Sequence, residues 1–255
     1  MIMFYFSATG NSKYIAELFC HHMDAACHSI EEEIEFAALM ASEDIIGFCY
    51  PVYGSRVPRL MREFVVAHIQ SLSNKKLIIF CTQMGGSGDG ARALTDIIPR
   101  GDIEVIYAEH FLMPNNVCNL FILPLAGDKL TQWYLKKSQR MVLEACANIK
   151  NRTVKRRGFN PVSRALGLIQ GAFLPGIERR AKNKVWIDEG CNLCGICVSI
   201  CPMDNLKNEN GKIETNNNCM MCYRCINKCP QKAIAVFLRC KVKKQYAGVR
   251  EFSVE

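Results

Sequence analysis

Ile2-Met3-Phe4-Tyr5-Phe6, followed at once by Ser7-Ala8-Thr9-Gly10-Asn11-Ser12, is the stretch on which the fold turns. An unbroken apolar run this short is too brief for a helix and reads as a strand buried on both faces. Beyond the loop, Tyr14, Ile15, Leu18 and Phe19 recur at helical spacing. The order is therefore strand, hydroxyl-rich loop, helix. Ser7, Thr9, Asn11 and Ser12 offer side-chain donors, and Gly10 lets backbone amides come close. The helix N-terminus adds partial positive charge, so the loop is suited to a phosphate without any Lys or Arg. The G-x4-G-K-S/T spacing of a Walker loop is missing.

The same logic repeats outward. Asp44 to Cys49 reads as a second buried strand leading into a loop, Tyr50-Pro51-Val52-Tyr53-Gly54. A helix starts near Pro58, a residue favoured in a first turn, and carries Leu60, Met61, Phe64 and Val65. Leu77 to Cys81 is a further strand, followed by Thr82-Gln83-Met84-Gly85-Gly86-Ser87-Gly88. Ile103 to Tyr107 is expected as the last strand, and Gln132 to Asn148 as a helix. Alternating strands and helices predict an α/β fold with a doubly wound parallel sheet. Gly86-Ser87-Gly88-Asp89-Gly90-Ala91 also matches a dinucleotide fingerprint. That motif belongs in the first strand–helix turn, which here is the hydroxyl loop, so NAD binding is the lesser reading beside a Gly-rich loop with no ligand.

Near the other end, Cys191, Cys194, Cys197 and Cys201 precede Pro202, and Cys219, Cys222, Cys225 and Cys229 precede Pro230. Both runs read C-x2-C-x2-C-x3-C-P. This resembles the ligand run of bacterial two-cluster ferredoxins, whose thiolates hold 4Fe-4S clusters and whose fourth cysteine serves the other cluster. The resemblance implies one cluster on Cys191, Cys194, Cys197 and Cys229, and its partner on Cys219, Cys222, Cys225 and Cys201. Zinc sites do not use four cysteines with a trailing proline. An N-terminus without charged and apolar signal regions argues against disulfides and for a reducing cytoplasm. Cys20, Cys27, Cys49, Cys81, Cys118, Cys146 and Cys240 lack ligand spacing and are read mostly as small buried hydrophobes.

The 255 residues leave room for a full α/β domain before the cysteine runs, and no apolar stretch is long enough to span a bilayer. The net charge of +8 is concentrated. Between Lys150 and Lys184 there are ten Lys or Arg against one acid, Glu178, leaving the rest about neutral. Thiolate-bound clusters and a phosphate nearby would offset that excess, so no nucleic-acid partner is expected. Ala165 to Ile177 is uncharged and too short to cross a membrane. It is read first as a helix packing between two domains and second as a membrane-surface contact, with Asn160-Pro161 at its start. In the cysteine region, Asn208 to Lys212 reads as a turn and Ala233 to Val236 as a strand pairing with Val185 to Ile187. Ile196, Ile200, Ile226 and Ile234 are expected around the clusters. The tail from Lys241 carries no recognisable chemistry.

Taken together, Phe6 to Ser12 resembles the phosphate loop of flavodoxins, with Tyr50 to Gly54 and the Gly-rich stretch after Phe80 where their second and third flavin loops lie. The chain is similar to a flavodoxin-like domain fused to a two-cluster ferredoxin. The division is 1–150 for the flavin domain, 151–184 for a connecting segment, 185–240 for a small α+β cluster domain, and 241–255 for a tail. The resemblance implies strand order 2-1-3-4-5 and FMN at the carboxyl ends of the strands. It places the phosphate on Ser7, Thr9, Gly10, Asn11 and Ser12, and Tyr53, then Tyr50, against the ring beside Pro51. Gly54 would allow a peptide flip at the ring nitrogen, and Gln83, Met84, Gly85, Gly86 and Gly88 would edge the ring. No aromatic lies between Gln83 and Gly90, which departs from flavodoxins and leaves one ring face open.

The cofactors implied are two 4Fe-4S clusters and FMN. The function expected is electron transfer among them, with redox proteins as partners. The alternative is a flavin-dependent reductase of a small-molecule acceptor, with an apolar lid at Phe111-Leu112-Met113-Pro114 or Phe173-Leu174-Pro175. No catalytic residue is assigned: the five histidines are isolated and read as surface or structural.

Overall fold

The structure is a computed structural model that describes residues 1–86, 88–99, 101–120, 123–172 and 174–249. Six strands, β1 (Ile2–Tyr5), β2 (Ala26–Ser29), β3 (Ile45–Pro51), β4 (Lys75–Gln83), β5 (Ile103–Leu112) and β6 (Lys155–Arg156), form one sheet ordered β2-β1-β3-β4-β5-β6. Every pairing in it is parallel. Helices α1 (Asn11–Met23), α2 (Phe36–Ala41), α3 (Arg59–Ala67), α4 (Arg92–Thr95) and α5 (Asp128–Lys150) flank it. This is the doubly wound 2-1-3-4-5 order with one strand added. That strand lies inside the span read as connector, so the basic segment begins as sheet.

The two cores follow from strand alternation. Met3, Ile78 and Phe80 face α1 and α5, where they meet Phe19, Tyr107 and Val142; Phe4, Leu77 and Ile79 face the other way, with Phe48, Phe64 and Met61. Fully burying each such side chain contributes roughly 1.5–3 kcal/mol. The edge strand β2 was not legible, because Ala26-Cys27-His28-Ser29 has no apolar run and stays partly exposed. Strands β3, β4 and β5 also run past their apolar stretches, because ladder pairing continues through Pro51↔Thr82 and Gln83↔Leu112. Phe111 and Met113 are consequently core residues and form no lid. Phe173 lies outside the described residues.

After β6 come α6 (Pro161–Ala172) and α7 (Leu174–Ala181), then β7 (Val185–Ile187), α8 (Ile196–Ser199), β8 (Leu206–Glu209), β9 (Lys212–Thr215), α9 (Arg224–Lys228) and β10 (Ile234–Val236). The uncharged stretch thus divides into two helices, and Ser163 N–H donates to Asn160 Oδ1 to cap the first. Strands β7 and β10 pair antiparallel, as do β8 and β9. Between the latter, Asn210 (φ 51°) and Gly211 (φ 70°) make the left-handed turn that suits a hairpin. No helix among the described residues is long and apolar enough to cross a membrane.

His110 supports the structural reading of the histidines. Its Nε2 accepts from Ala91 N–H at 3.2 Å, and burial, with Arg157 nearby, holds its pKa down to about 4 against a small opposing effect of Glu109. Below about pH 6.5 the unfolded chain takes up a proton that the folded state resists. Stability is therefore whole above that pH and lost as pH falls toward 4, by at most about 3 kcal/mol. The urea midpoint of the wild type should fall over this window more steeply than that of His110→Gln; equal slopes would refute the assignment.

Candidate functional site

The carboxyl ends of β1, β3, β4 and β5 surround a cavity of about 370 Å³. From the first loop it is lined by Ser7, Thr9, Asn11 and Ser12. The loop is tied by its own donors and acceptors. Gly10, at φ 98°, donates its N–H to Ser7 Oγ at 3.1 Å, and the Ser12 and Thr82 hydroxyls lie 2.7 Å apart. Asn11 Nδ2 donates to Pro114 O at 2.8 Å, and Tyr246 donates its hydroxyl to Asn11 Oδ1 at 2.7 Å. Gly10 does not line the cavity. It faces Val249, and the tail read as featureless closes over the outside of this loop.

From the second and third loops, Pro51, Tyr53, Gly54, Gln83, Met84, Gly85 and Gly86 reach the cavity. Tyr50 does not. As the penultimate residue of β3 it is fully buried in the core and donates its hydroxyl to Gly90 O at 2.9 Å, so it is removed from the ring-packing set. Gly88 is removed as well. Its N–H donates to Ser55 Oγ at 2.8 Å, and a Cβ there would collide with the backbone of Gly167 in α6. Ser87, in the middle of that loop, lies outside the described residues. Gly54 and Ser55 both have positive φ (52° and 60°) in a tight turn closed by reciprocal Tyr53–Arg56 backbone bonds of 3.0 Å.

Several lining residues were not legible in sequence. Asn115, Asn116 and Val117 come from the connection after β5, Gln170 from α6, and Met221 and Tyr223 from between the cysteines of the second run. Gln170 joins two loops: Ser55 donates its hydroxyl to Gln170 Oε1, and Gln170 Nε2 donates to Gly86 O at 2.7 Å. Tyr223 had one faint signal. In the first cysteine run its counterpart is Gly195, at φ 76°, whereas Tyr223 holds φ 62°, a backbone conformation bulky residues avoid.

Arg224, next in the chain, binds the cysteine region to the phosphate loop. Its guanidinium donates to Ser7 O at 2.9 Å, Ala8 O at 3.1 Å and Ile200 O at 3.1 Å, pairs with Glu31 at 2.6 Å, and lies over the Phe6 ring. Asn116 Nδ2 donates both to Thr9 Oγ1 at 3.2 Å and to Cys222 O at 3.3 Å. Met220 and Cys222 pack into the same core cluster as Phe4 and Phe48.

The eight cysteines ring two smaller cavities. Cys191, Cys194, Cys197 and Cys229 line one with Ile187 and Ile234; Cys201, Cys219, Cys222 and Cys225 line the other with Met220 and Tyr223. All eight are free thiols. No group of three potential ligands among the described residues is close enough for a single metal ion. Four cysteine sulfurs facing one small cavity are the donor set that suits a 4Fe-4S cluster. Burial pushes the Cys222 thiol up to about 12, with the backbone N–H and charge of Arg224 opposing, so iron must displace a proton there. Ile226 and Ile234 are buried as expected, whereas Ile196 is partly exposed at the rim of the Cys191 cavity. Of the other cysteines, Cys20, Cys49, Cys81 and Cys146 are buried, but Cys240 is exposed.

The large cavity also fits a flavin. Among the described residues, the buried Tyr53 hydroxyl and Gln83 Oε1 on its wall have no hydrogen-bond partner, which is costly unless a ligand supplies one. Burial, and then the proximity of Cys222, push the Tyr53 phenol well up, keeping it a neutral donor. Gly85 and Gly86 have open space where a Cβ would stand.

A family model described as a flavodoxin domain matches residues 2–123, and one described as a 4Fe-4S dicluster domain matches residues 190–234. Similar solved structures include a flavodoxin from the domain Archaea, at 14% identity over 58% of this chain and 97% of that one, with a TM-score of 0.37. The two-electron reduced flavodoxin of Megasphaera elsdenii is 22% identical over 43% of this chain and 85% of its own, with a TM-score of 0.36. Oxidised flavodoxin 2 of Bacillus cereus is 16% identical over 58% and 97%, with a TM-score of 0.39. No curated protein matches the chain.

Proposed function

Because this chain joins a flavodoxin domain to a 4Fe-4S dicluster domain, in the manner of electron-transfer proteins with redox partners, we propose that it relays electrons internally between two 4Fe-4S clusters and one FMN, serving as a carrier between those partners. The observation that carries this reading is Met221 and Tyr223. They sit between ligands of one proposed cluster and at the same time line the proposed flavin cavity. The clusters supply single electrons and the flavin stores one or two; the protein's part is distance, orientation and dryness.

In this reading residues 1–150 hold FMN and 185–240 hold the clusters, with the connector and tail tying them. Ser7, Thr9 and Ser12 donate to the phosphate, Tyr53 packs on the ring, and Gln83, Met84, Gly85 and Gly86 border its edge. Cys201, Cys219, Cys222 and Cys225 hold the near cluster. Cys191, Cys194, Cys197 and Cys229 hold the far one, where exposed Cys194 and Leu193 make the entry point for a redox partner. Arg224 and Asn116 keep the near cluster's loop registered on the phosphate loop. A cavity of about 370 Å³ lies near the lower end for ligand sites. That room suits one cofactor better than a cofactor with substrate, and so favours the carrier over the reductase.

The deciding measurement is iron, acid-labile sulfide and released flavin per chain after purification without oxygen. About eight iron and one FMN are expected. Eight iron with no flavin, even after FMN is added, would reduce the protein to a two-cluster ferredoxin on a scaffold.

A further inference from the structure

Helix α6 is inside out. The side packed on the protein is made of Ser163, Gly167, Gln170 and Gly171, where a Cβ on Gly167 would strike the buried Asp89 carboxylate held by Arg92 and one on Gly171 would have to displace the Arg56 guanidinium. At 100° per residue, Val162, Ala165, Leu166, Leu168, Ile169 and Ala172 fill an outward arc of roughly 160°. Val162 is 70% exposed, Leu166 46%, Leu168 56% and Ile169 64%. A surface helix ordinarily turns such a face to the core. Here the close approach to the second and third loops takes up the glycine side and leaves the aliphatic side in water.

The segment that carries that face is cationic. Arg164 is exposed on the helix itself, Arg179, Arg180 and Lys182 are exposed on and just after α7, and Arg152, Arg156 and Arg157 are exposed before it. The one acid between Lys150 and Lys184, Glu178, is paired with Arg62 at 3.1 Å. A second copy of the chain is a poor occupant, since a two-fold contact would set this charge against itself. Arg157 pairs with Glu109 at 3.1 Å, whereas Arg164, Arg179, Arg180 and Lys182 have no ion pair among the described residues. An aliphatic face carried by a segment with these cations matches an anionic bilayer, whose acyl region accepts the side chains while its headgroups neutralise the arginines. We propose that α6 is a membrane-surface anchor that rests the protein on anionic lipid without spanning it. The opposite side of the same helix holds Gln170 across the second and third loops, so the anchoring helix borders the proposed flavin cavity with its inward face.

Flotation of the intact, cofactor-loaded chain with vesicles tests this. Binding is expected to vesicles of phosphatidylcholine containing phosphatidylglycerol, to be weak on phosphatidylcholine alone, and to fall with added salt. Leu166→Gln combined with Ile169→Gln should lower vesicle binding at least about tenfold, since two large aliphatics no longer leave water. Arg179→Gln with Arg180→Gln should weaken binding to the anionic vesicles alone. Both variants change exposed residues, and unchanged iron and flavin content verifies that they fold. Absence of binding to anionic vesicles, equal binding to both vesicle types, or undiminished binding by the aliphatic variant would each overturn the proposal. So would a wild-type dimer in sedimentation velocity that the aliphatic variant abolishes without any lipid binding.

Discussion

Cys222→Ala is expected to halve the iron content, from about eight to about four per chain, while leaving the flavin site in place. The thiol is buried in the shared core and lines the cavity proposed for the near cluster, whereas its backbone carbonyl makes the bond to Asn116 that reaches Thr9. Removing the sulfur therefore removes a ligand without cutting that link. The electron paramagnetic resonance of the reduced wild type should show two neighbouring spins broadened by mutual interaction. The variant should show the simple signal of one isolated cluster, and reduction of the flavin by a protein donor should drop to background. Eight iron retained in the variant would sink the ligand assignment. Full iron loss with Cys222→Ala but not with Cys194→Ala would instead make this loop a folding requirement for both clusters.

Ser7→Ala with Thr9→Ala is expected to cost the protein its flavin and none of its iron. Each hydroxyl has a donor left for a phosphate oxygen, since among the described residues Ser7 Oγ accepts from Gly10 N–H and Thr9 Oγ1 accepts from Asn116 Nδ2, and neither donates. Hydrogen bonds to a charged group are worth about 1.5–3 kcal/mol each, so losing two weakens FMN by at least about 100-fold. Titration of flavin-stripped protein, following the fluorescence of free FMN, measures this directly. Affinity within about threefold of the wild type would remove the phosphate assignment from this loop, because about 0.6 kcal/mol is far below the cost of one such bond.

The two chemistries differ in how they are written along the chain. The proposed cluster ligation is legible because three of four sulfurs come from one short loop, so residue type and spacing carry nearly the whole requirement. The phosphate loop is legible for the same reason: strand, hydroxyls, glycine and helix N-terminus are consecutive, and Ser7, Thr9, Asn11 and Ser12 do line the cavity. The α/β class follows from buried strands alternating with helices, but strand ends do not, since ladder pairing continues into polar residues once a neighbour is present. That is why Tyr50 reads as a loop aromatic and is a core residue, while Tyr53, three positions on and past the strand, reaches the cavity.

Local in the chain are the two cysteine runs, the hydroxyl loop and the order of strands and helices around them, and residue type and spacing carry these. How they meet is a matter of long-range packing. Arg224 on Ser7, Asn116 on Cys222, Tyr223 in the cavity at the strand ends and Gln170 across two loops join residues far apart in the chain. Nothing in the spacing of one partner specifies the other. The orientation of α6 belongs to the same class. Its aliphatic residues alone predict that face inward, and the opposite holds because Gly167 lets the helix pack closely on Gly88 and the buried Asp89.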